Sequence, residues 1–285
     1  MKPRLVVFLS ALLILKCGAH YDVNAAVEKL TAQIKAKPTA ELYYQRAIEF
    51  RALRETIHAE EDLRASLKLA AYPPSLEALA KLLSQKKQHE EALKLAHELI
   101  ERSPTPHHQL VLADLAFTAG KNELALEAIV KGPPAEDDTH LLHSHLLFLK
   151  EEHQEAAAVL KNAHQASRSI VLRNAWLDAA IVAVQGRGIL PILDEEIVTS
   201  RFTASHRIRR AAVDSKTAKD DLQKALVEIN SRLNPKRPDL TLLNDRRKAY
   251  LLLGEKDKAA ADLARMKQSG LAPVGPWLLR TVPVE

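Results

Sequence analysis

Residues 40 to 69 read AELYYQRAIEFRALRETIHAEEDLRASLKL, and this stretch decides the fold. Tyr43, Ala47 and Phe50 fall at steps of four and three, so they share one face of a helix. Arg54 and Glu55 interrupt the apolar pattern, which resumes with Ala59, Leu63, Ser66 and Leu67 on one face of a second helix. Small residues at 47 and 59 let two backbones approach, while Tyr43, Phe50 and Leu63 fill the space beside them. Thirty residues cannot bury such a face alone, which is why units of this kind stack.

Variants of the pair recur. Leu76, Leu79, Ala80 and Leu83 begin a second unit, completed by Ala92, Ala96, Leu99 and Ile100. Leu112, Ala113 and Ala116 lead through Gly120 to Ala125 and Ile129. A fourth unit opens on the capping residues Asp137-Asp138-Thr139 and runs through Leu147, Ala156 and Leu160. A fifth carries Ala175, Ala179 and Val182, a Gly186-Arg187-Gly188 turn and Pro191 near the start of its second helix. The sixth has an arginine-rich first helix (205–213), and the seventh is regular again from Leu243 to Met266. Ala59, Ala92, Ala125, Ala156 and Pro191 are 33, 33, 31 and 35 residues apart. Residues 20–38 form one amphipathic helix suited to capping the stack, 39–270 hold six to seven units, and 271–285 form an extended tail. Trp277 and Leu278 are expected to pack back on the last helix, with an exposed docking tail as the alternative.

The chain resembles the tetratricopeptide repeat family, whose units of about 34 residues place large, small and aromatic residues on the first helix and small–large–small on the second. Tyr43, Ala47 and Phe50 match the first set, and Ala59, Leu63 and Ser66 the second. Leu76, Ala80, Leu83, Ala92 and Pro104 match in the next unit. Gln109, His140, Glu195 and Arg247 depart from the pattern. The resemblance implies an all-α solenoid of antiparallel helix pairs, a right-handed superhelix whose first helices line a concave, peptide-binding face. Carried over position by position, that face comprises Tyr44, Arg51, Lys81, His107, Asp114, Phe117, His145, Phe148 and Trp176. Phe117, Phe148 and Trp176 are equally readable as core between repeats.

The beginning of the chain has a different character. Lys2 and Arg4 precede the apolar run Leu5 to Leu15, and Cys17-Gly18-Ala19 supplies small residues at cleavage spacing. Residues 1–19 therefore read as a secretory signal peptide, implying an exported, periplasmic or extracellular protein. An uncleaved membrane anchor and lipid attachment at Cys17 are the alternatives, and membrane association is expected only through them. Cleavage removes Lys2, Arg4 and Lys16 and no acid, lowering the net charge from +5 to +2. A nucleic-acid partner is not expected at that charge. Cys17 is the sole cysteine, so the mature chain has no disulfide, thiolate or cysteine-ligand chemistry.

No HExxH, G-x-S-x-G, phosphate loop or G-x-G-x-x-G occurs. Adjacent acids such as Glu60-Glu61 and Asp220-Asp221 point about 100° apart on a helix and read as solvated surface. His140 and His143 share a face, with His145 pointing elsewhere, too few ligands for a metal site. The basic runs at Arg207, Arg209 and Arg210 and at Arg246-Arg247-Lys248 also read as solvated faces, with an anionic lipid or acidic peptide partner as the alternative. The sequence thus implies a non-enzymatic interaction scaffold without metal or cofactor, binding a protein or peptide on its concave face. A structural accessory subunit using the convex face or the tail is the competing expectation.

Overall fold

The structure, a computed structural model, describes residues 22–132, 136–183, 186–234 and 236–281. The expected signal peptide lies outside them. Fifteen helices are present among the described residues: α1 (Val23–Ala36), α2 (Ala40–Ala52), α3 (Thr56–Leu69), α4 (Pro73–Gln85), α5 (His89–Arg102), α6 (Pro106–Thr118), α7 (Asn122–Lys131), α8 (Asp137–Leu149), α9 (His153–Ser167), α10 (Ile170–Val182), α11 (Gly186–Thr199), α12 (Ala204–Val213), α13 (Ala218–Arg232), α14 (Leu240–Leu252) and α15 (Lys256–Gln268). Two three-residue strands, β1 (Leu271–Pro273) and β2 (Leu279–Thr281), pair antiparallel after them. The helices after α1 form an all-α solenoid of consecutive pairs. The chain divides into two compact units, residues 1–102 and 103–285.

One turn repeats through the pairs and explains the period. Five of the seven first helices, α2, α4, α6, α8 and α14, end with a residue in the left-handed region: Arg54, Lys87, Gly120, Glu151 and Gly254, with φ of 64°, 63°, 75°, 63° and 76°. The next residue's N–H reaches back five positions, as in Glu55 to the Phe50 carbonyl at 2.8 Å and Gln88 to Leu83 at 2.9 Å. Lys121 to Ala116, Glu152 to Leu147 and Glu255 to Tyr250 repeat the bond. This is the Schellman closure, which satisfies carbonyls at the end of one helix and turns the chain directly into the next. Many first helices carry side-chain caps. Thr39 accepts from the Leu42 N–H, Thr105 from His108, Ser169 from Leu172 and Asp239 from Leu242. For α8 the cap is Glu136, one residue before the expected Asp137, and Thr139 receives the Glu136 N–H in a capping box.

In the first unit, Ala47, Ala59, Leu63, Leu79, Leu83 and Ala92 form one buried cluster across α2 to α5. Ser66, fully buried, donates to the Ala40 carbonyl and hydrogen-bonds Ser75, tying α3 to the starts of α2 and α4. In the second unit Ala113, Ala116, Ala125, Ile129, Ala156 and Leu160 are buried to the same degree. Gly132 is required where α7 returns over α6, because a Cβ there would lie 2.6 Å from both Gln109 Cβ and the Pro106 carbonyl oxygen.

Three expectations are corrected. Gly186, Arg187 and Gly188 are not a turn but the first residues of α11, and Pro191 therefore sits inside that helix. The basic run of α12 is not a solvated face. Arg209 is 6% exposed, and Arg210 is paired with Asp221 through two hydrogen bonds of 2.7 Å. Asp221, expected on the surface, is completely buried because Arg207 and Arg210 both converge on it.

Ion pairs also repeat. Arg46 of α2 grips Asp62 of α3 with Nε and Nη2 at 2.7 Å each, and its Nη1 donates to Thr31 of α1. Arg246 of α14 grips Asp262 of α15 in the same two-point manner, while Nη1 donates to Asn230 of α13. In both, arginine and acid are sixteen residues apart, so the pair recurs in the first and last helix hairpins.

Candidate binding site on the first-helix face

Successive first helices of the second unit, α6, α8, α10, α12 and α14, present equivalent positions. One column is Asp114, His145, Asp178, Arg209 and Lys248, each four residues before the last residue of its helix, and another, three residues on, is Phe117, Phe148, Ile181, Ala212 and Leu251. Residues three apart lie on one helical face, so the two columns run side by side.

At its far end this face encloses a cavity of about 270 Å³. Ile181, Val182, Ile208, Ala212, Leu251 and Leu252 give it apolar walls, and Asp178, Arg209, Asp245, Arg247 and Lys248 give it charge. Arg209 Nε donates to Asp178 Oδ1 at 2.7 Å, and its Nη1 to Ser205 at 2.6 Å. Lys248 Nζ reaches the other Asp178 oxygen at 2.8 Å. Burial alone would raise the Asp178 carboxyl, but the two cations outweigh it and hold it below the usual carboxylate range. Burial dominates at Asp245 and pushes its carboxyl up, against the pull of Lys248, Arg209 and the Ser205 hydroxyl. Arg247 donates to Asn244 at 3.2 Å, and burial lowers its guanidinium. Three cations, Arg209, Arg247 and Lys248, thus line the cavity beside two carboxyls, Asp178 and Asp245. The cavity combines a charged floor with apolar walls.

The other end of the face is aromatic. Phe117 meets His145 edge-on with ring centres 5.5 Å apart, and His145 stacks with Phe148 at 5.9 Å. Phe148 packs on His153 at 5.2 Å and, at 74°, on Trp277 at 5.3 Å. The tail therefore lands on α8, not only on the last helix as expected. Its two strands pair Leu271 with Thr281, Ala272 with Arg280 and Pro273 with Leu279, and the Val274 N–H donates to the Leu278 carbonyl across the turn. Gly275 lies so close to the His145 ring that a Cβ would stand 2.5 Å from Cε1. Pro276 borders the charged cavity.

Of the residues expected to bind a peptide, Phe117, His145 and Phe148 come together, under the chain's own tail. Asp114 lies on the same column, half-buried, and His107 is exposed at the start of α6 with its ring 5.6 Å from His108. Trp176 does not join them. It is two residues from Asp178, about 200° around α10, and stacks on His164 of α9 with Lys161 over its ring. In the first unit Tyr44, expected on the peptide-binding face, packs its ring against the core cluster and meets Tyr72 edge-on at 5.6 Å. Arg51 is half-buried on α2, and Lys81 pairs with Glu77 one turn away on α4. Asp178, Ile181, Asp245 and Lys248 were missed. Stepping 31 to 39 residues in register from Phe117 and Asp114 finds all of them but Asp245.

Burial lowers His140 and His143, keeping both imidazoles toward the neutral form. Among the described residues no three His, Cys, Asp or Glu side chains are grouped to hold a metal ion. No helix among them is long and apolar enough to cross a membrane.

No protein-family model matches the sequence. No curated protein matches it either. The likeness is structural. A tetratricopeptide repeat protein from Parabacteroides merdae superposes with a TM-score of 0.60 at 17% identity, over 81% of this chain and 93% of that one. The C-terminal part of a TPR repeat-containing protein from Cytophaga hutchinsonii gives 0.52 at 16% identity, over 85% and 94%. The Cut9–Hcn1 hetero-tetramer of the APC/C gives 0.50 at 14%, over 86% of this chain and 46% of that one. Stacked pairs closed by one recurring turn, together with these likenesses, show that the chain has the tetratricopeptide repeat fold.

Proposed function

We propose that the chain is a non-catalytic interaction scaffold, exported to the cell envelope, that receives an extended segment of a protein partner on its first-helix face. The observation that carries the binding reading is the cavity among α10, α12 and α14. It joins apolar walls to a floor of charged side chains, the combination that orients a peptide by charge and holds it by burial. A repeat protein of similar fold stands in a hetero-tetramer, which supports a protein as the partner class. Export rests on the basic start, apolar run and small residues within 1–19. Trp277 is packed inward, which counts against an accessory role through a free tail.

The test is crosslinking and capture from envelope extracts with the tagged full chain. A partner held on this face is lost with Arg247→Glu/Leu251→Glu, and retained with Val227→Glu, an exposed position on α13. Equal recovery with folded Arg247→Glu/Leu251→Glu protein refutes the site. A mature N-terminus at residue 1 rather than 20, read by mass spectrometry, refutes export by cleavage.

A further inference from the structure

We infer that the segment Val274–Leu278 is a resident ligand of the first-helix face. The external partner, on this reading, is an extended apolar segment with a small residue and an aromatic in the same arrangement, which binds by displacing it. The inference rests on the binding reading above and adds the chemistry of the partner and the order of events.

Three observations carry it. First, the seat is shaped for such a segment. Gly275 fits against the Nδ1–Cε1 edge of the His145 ring with no room for a side chain, and Trp277 inserts two residues later against Phe148. A residue without Cβ followed at i+2 by an indole is an anchor and its spacer, the pattern by which extended peptides are read in grooves.

Second, the occupant is weakly tied. Its strands are three residues each, too short for a hairpin to persist by its own bonds. The buried Trp277 Nε1 finds no acceptor, a penalty that a competing segment with a satisfied or apolar ring escapes.

Third, the tail divides what would otherwise be one surface. The aromatic seat of α6 and α8 lies on one side of Val274–Leu278, and Pro276 forms part of the wall of the charged cavity on the other. Withdrawal of the tail joins the two into a single groove, aromatic at one end and charged at the other. A partner entering there places its aromatic on Phe148 and its acidic residues toward Arg247 and Lys248.

The experiment uses the full chain and a fluorescently labelled peptide of sequence LAPVGPWLLRT, residues 271–281. In a Trp176→Phe background Trp277 is the single tryptophan, so acrylamide quenching reports whether the tail is seated. Gly275→Val is expected to expose Trp277 and to bind the peptide at least tenfold more tightly than the parent, and adding Phe148→Ala is expected to abolish that gain. Trp277→Ala provides a second release variant, read by peptide anisotropy alone. Persistent shielding of Trp277 in Gly275→Val overturns the seat. An exposed Trp277 without gain in peptide binding in either release variant overturns the groove's taste for this segment. So does a gain that survives Phe148→Ala. The peptide needs no partner, so these failures are distinct from failure of the capture experiment. If partner recovery depends on Arg247 and Leu251 while tail release changes nothing, the binding reading stands and the resident ligand falls.

Discussion

The Arg46–Asp62 pair offers the sharpest test of how the hairpins are held. Its two hydrogen bonds are 2.7 Å each, with side-chain exposures of 16% and 7%. The Arg46 guanidinium also lies 5.7 Å from the ring centres of Tyr43 and Phe50. Arg46→Met keeps the aliphatic bulk but strands Asp62 in a site water scarcely reaches. Breaking a buried pair from one side costs about 3–5 kcal/mol, and the residual exposure of Arg46 places this case near 3. Asp62→Leu leaves an arginine that still has Thr31, two rings and some solvent, so about 2 kcal/mol is expected, the worth of charge-assisted bonds. The double variant removes both charges and is expected to cost no more than Asp62→Leu alone, a coupling of about 3 kcal/mol. Urea unfolding followed by far-UV circular dichroism measures all four corners of the cycle. Arg246→Met and Asp262→Leu repeat it in the last hairpin, where the geometry is the same. The reasoning fails if Arg46→Met costs under about 1 kcal/mol, or if the single effects simply add.

Other consequences are simpler to check. Lys87 occupies a left-handed position that Gly fills in two other hairpins, so Lys87→Gly is expected to stabilise by about 1 kcal/mol, seen as a higher urea midpoint. Burial raises the Asp245 carboxyl, so the folded state binds its proton more tightly than the unfolded state does. Its contribution is favourable below the unfolded value and is lost as pH rises through the folded one. Asp245→Asn is therefore expected to melt higher than the parent at pH 7, and the advantage should shrink toward pH 4. Asp178, held low, has the opposite sign: its support is present at neutral pH and is lost on acidification, and Asp178→Asn should flatten that acid limb. Ala92, 1% exposed between helices, has no room or partner for charge, so Ala92→Asp is expected to cost about 3–5 kcal/mol. A change under about 1 kcal/mol by thermal melting would mean that the repeat register is misassigned.

The fold was legible because it is local. Ala47, Ala59, Leu63 and their successors carry the helical period, and the repeat distance carries the stacking. The site was only partly legible, for reasons visible in particular residues. Phe117, His145 and Phe148 followed from the repeat register, but Trp176 drew attention because it is large, and two residues of helix turn it to the opposite side. Arg209 and Asp221 look like any charged helix residues in sequence. Their burial depends on partners eleven to thirty-one residues away, on other helices. The tail's extended character was readable from its Gly and Pro, whereas its landing on His145 and Phe148 depends on how α8 to α15 stack, which no local pattern states.

The buried charges Asp178, Arg209, Asp245 and Lys248 constrain how this repeat array can grow or shrink. They interlock between neighbouring hairpins, with Arg209 acting on both Asp178 and Asp245. Excising the hairpin α12–α13 would keep the period and every capping turn, yet it would bring two buried carboxylates face to face with a single lysine between them. Duplicating that hairpin would instead place two buried arginines in succession. Repeat arrays are often treated as freely extensible, one hairpin at a time. Here the number of hairpins and the order of their side chains are inherited together, and only exchanges that preserve the alternation leave the stack intact.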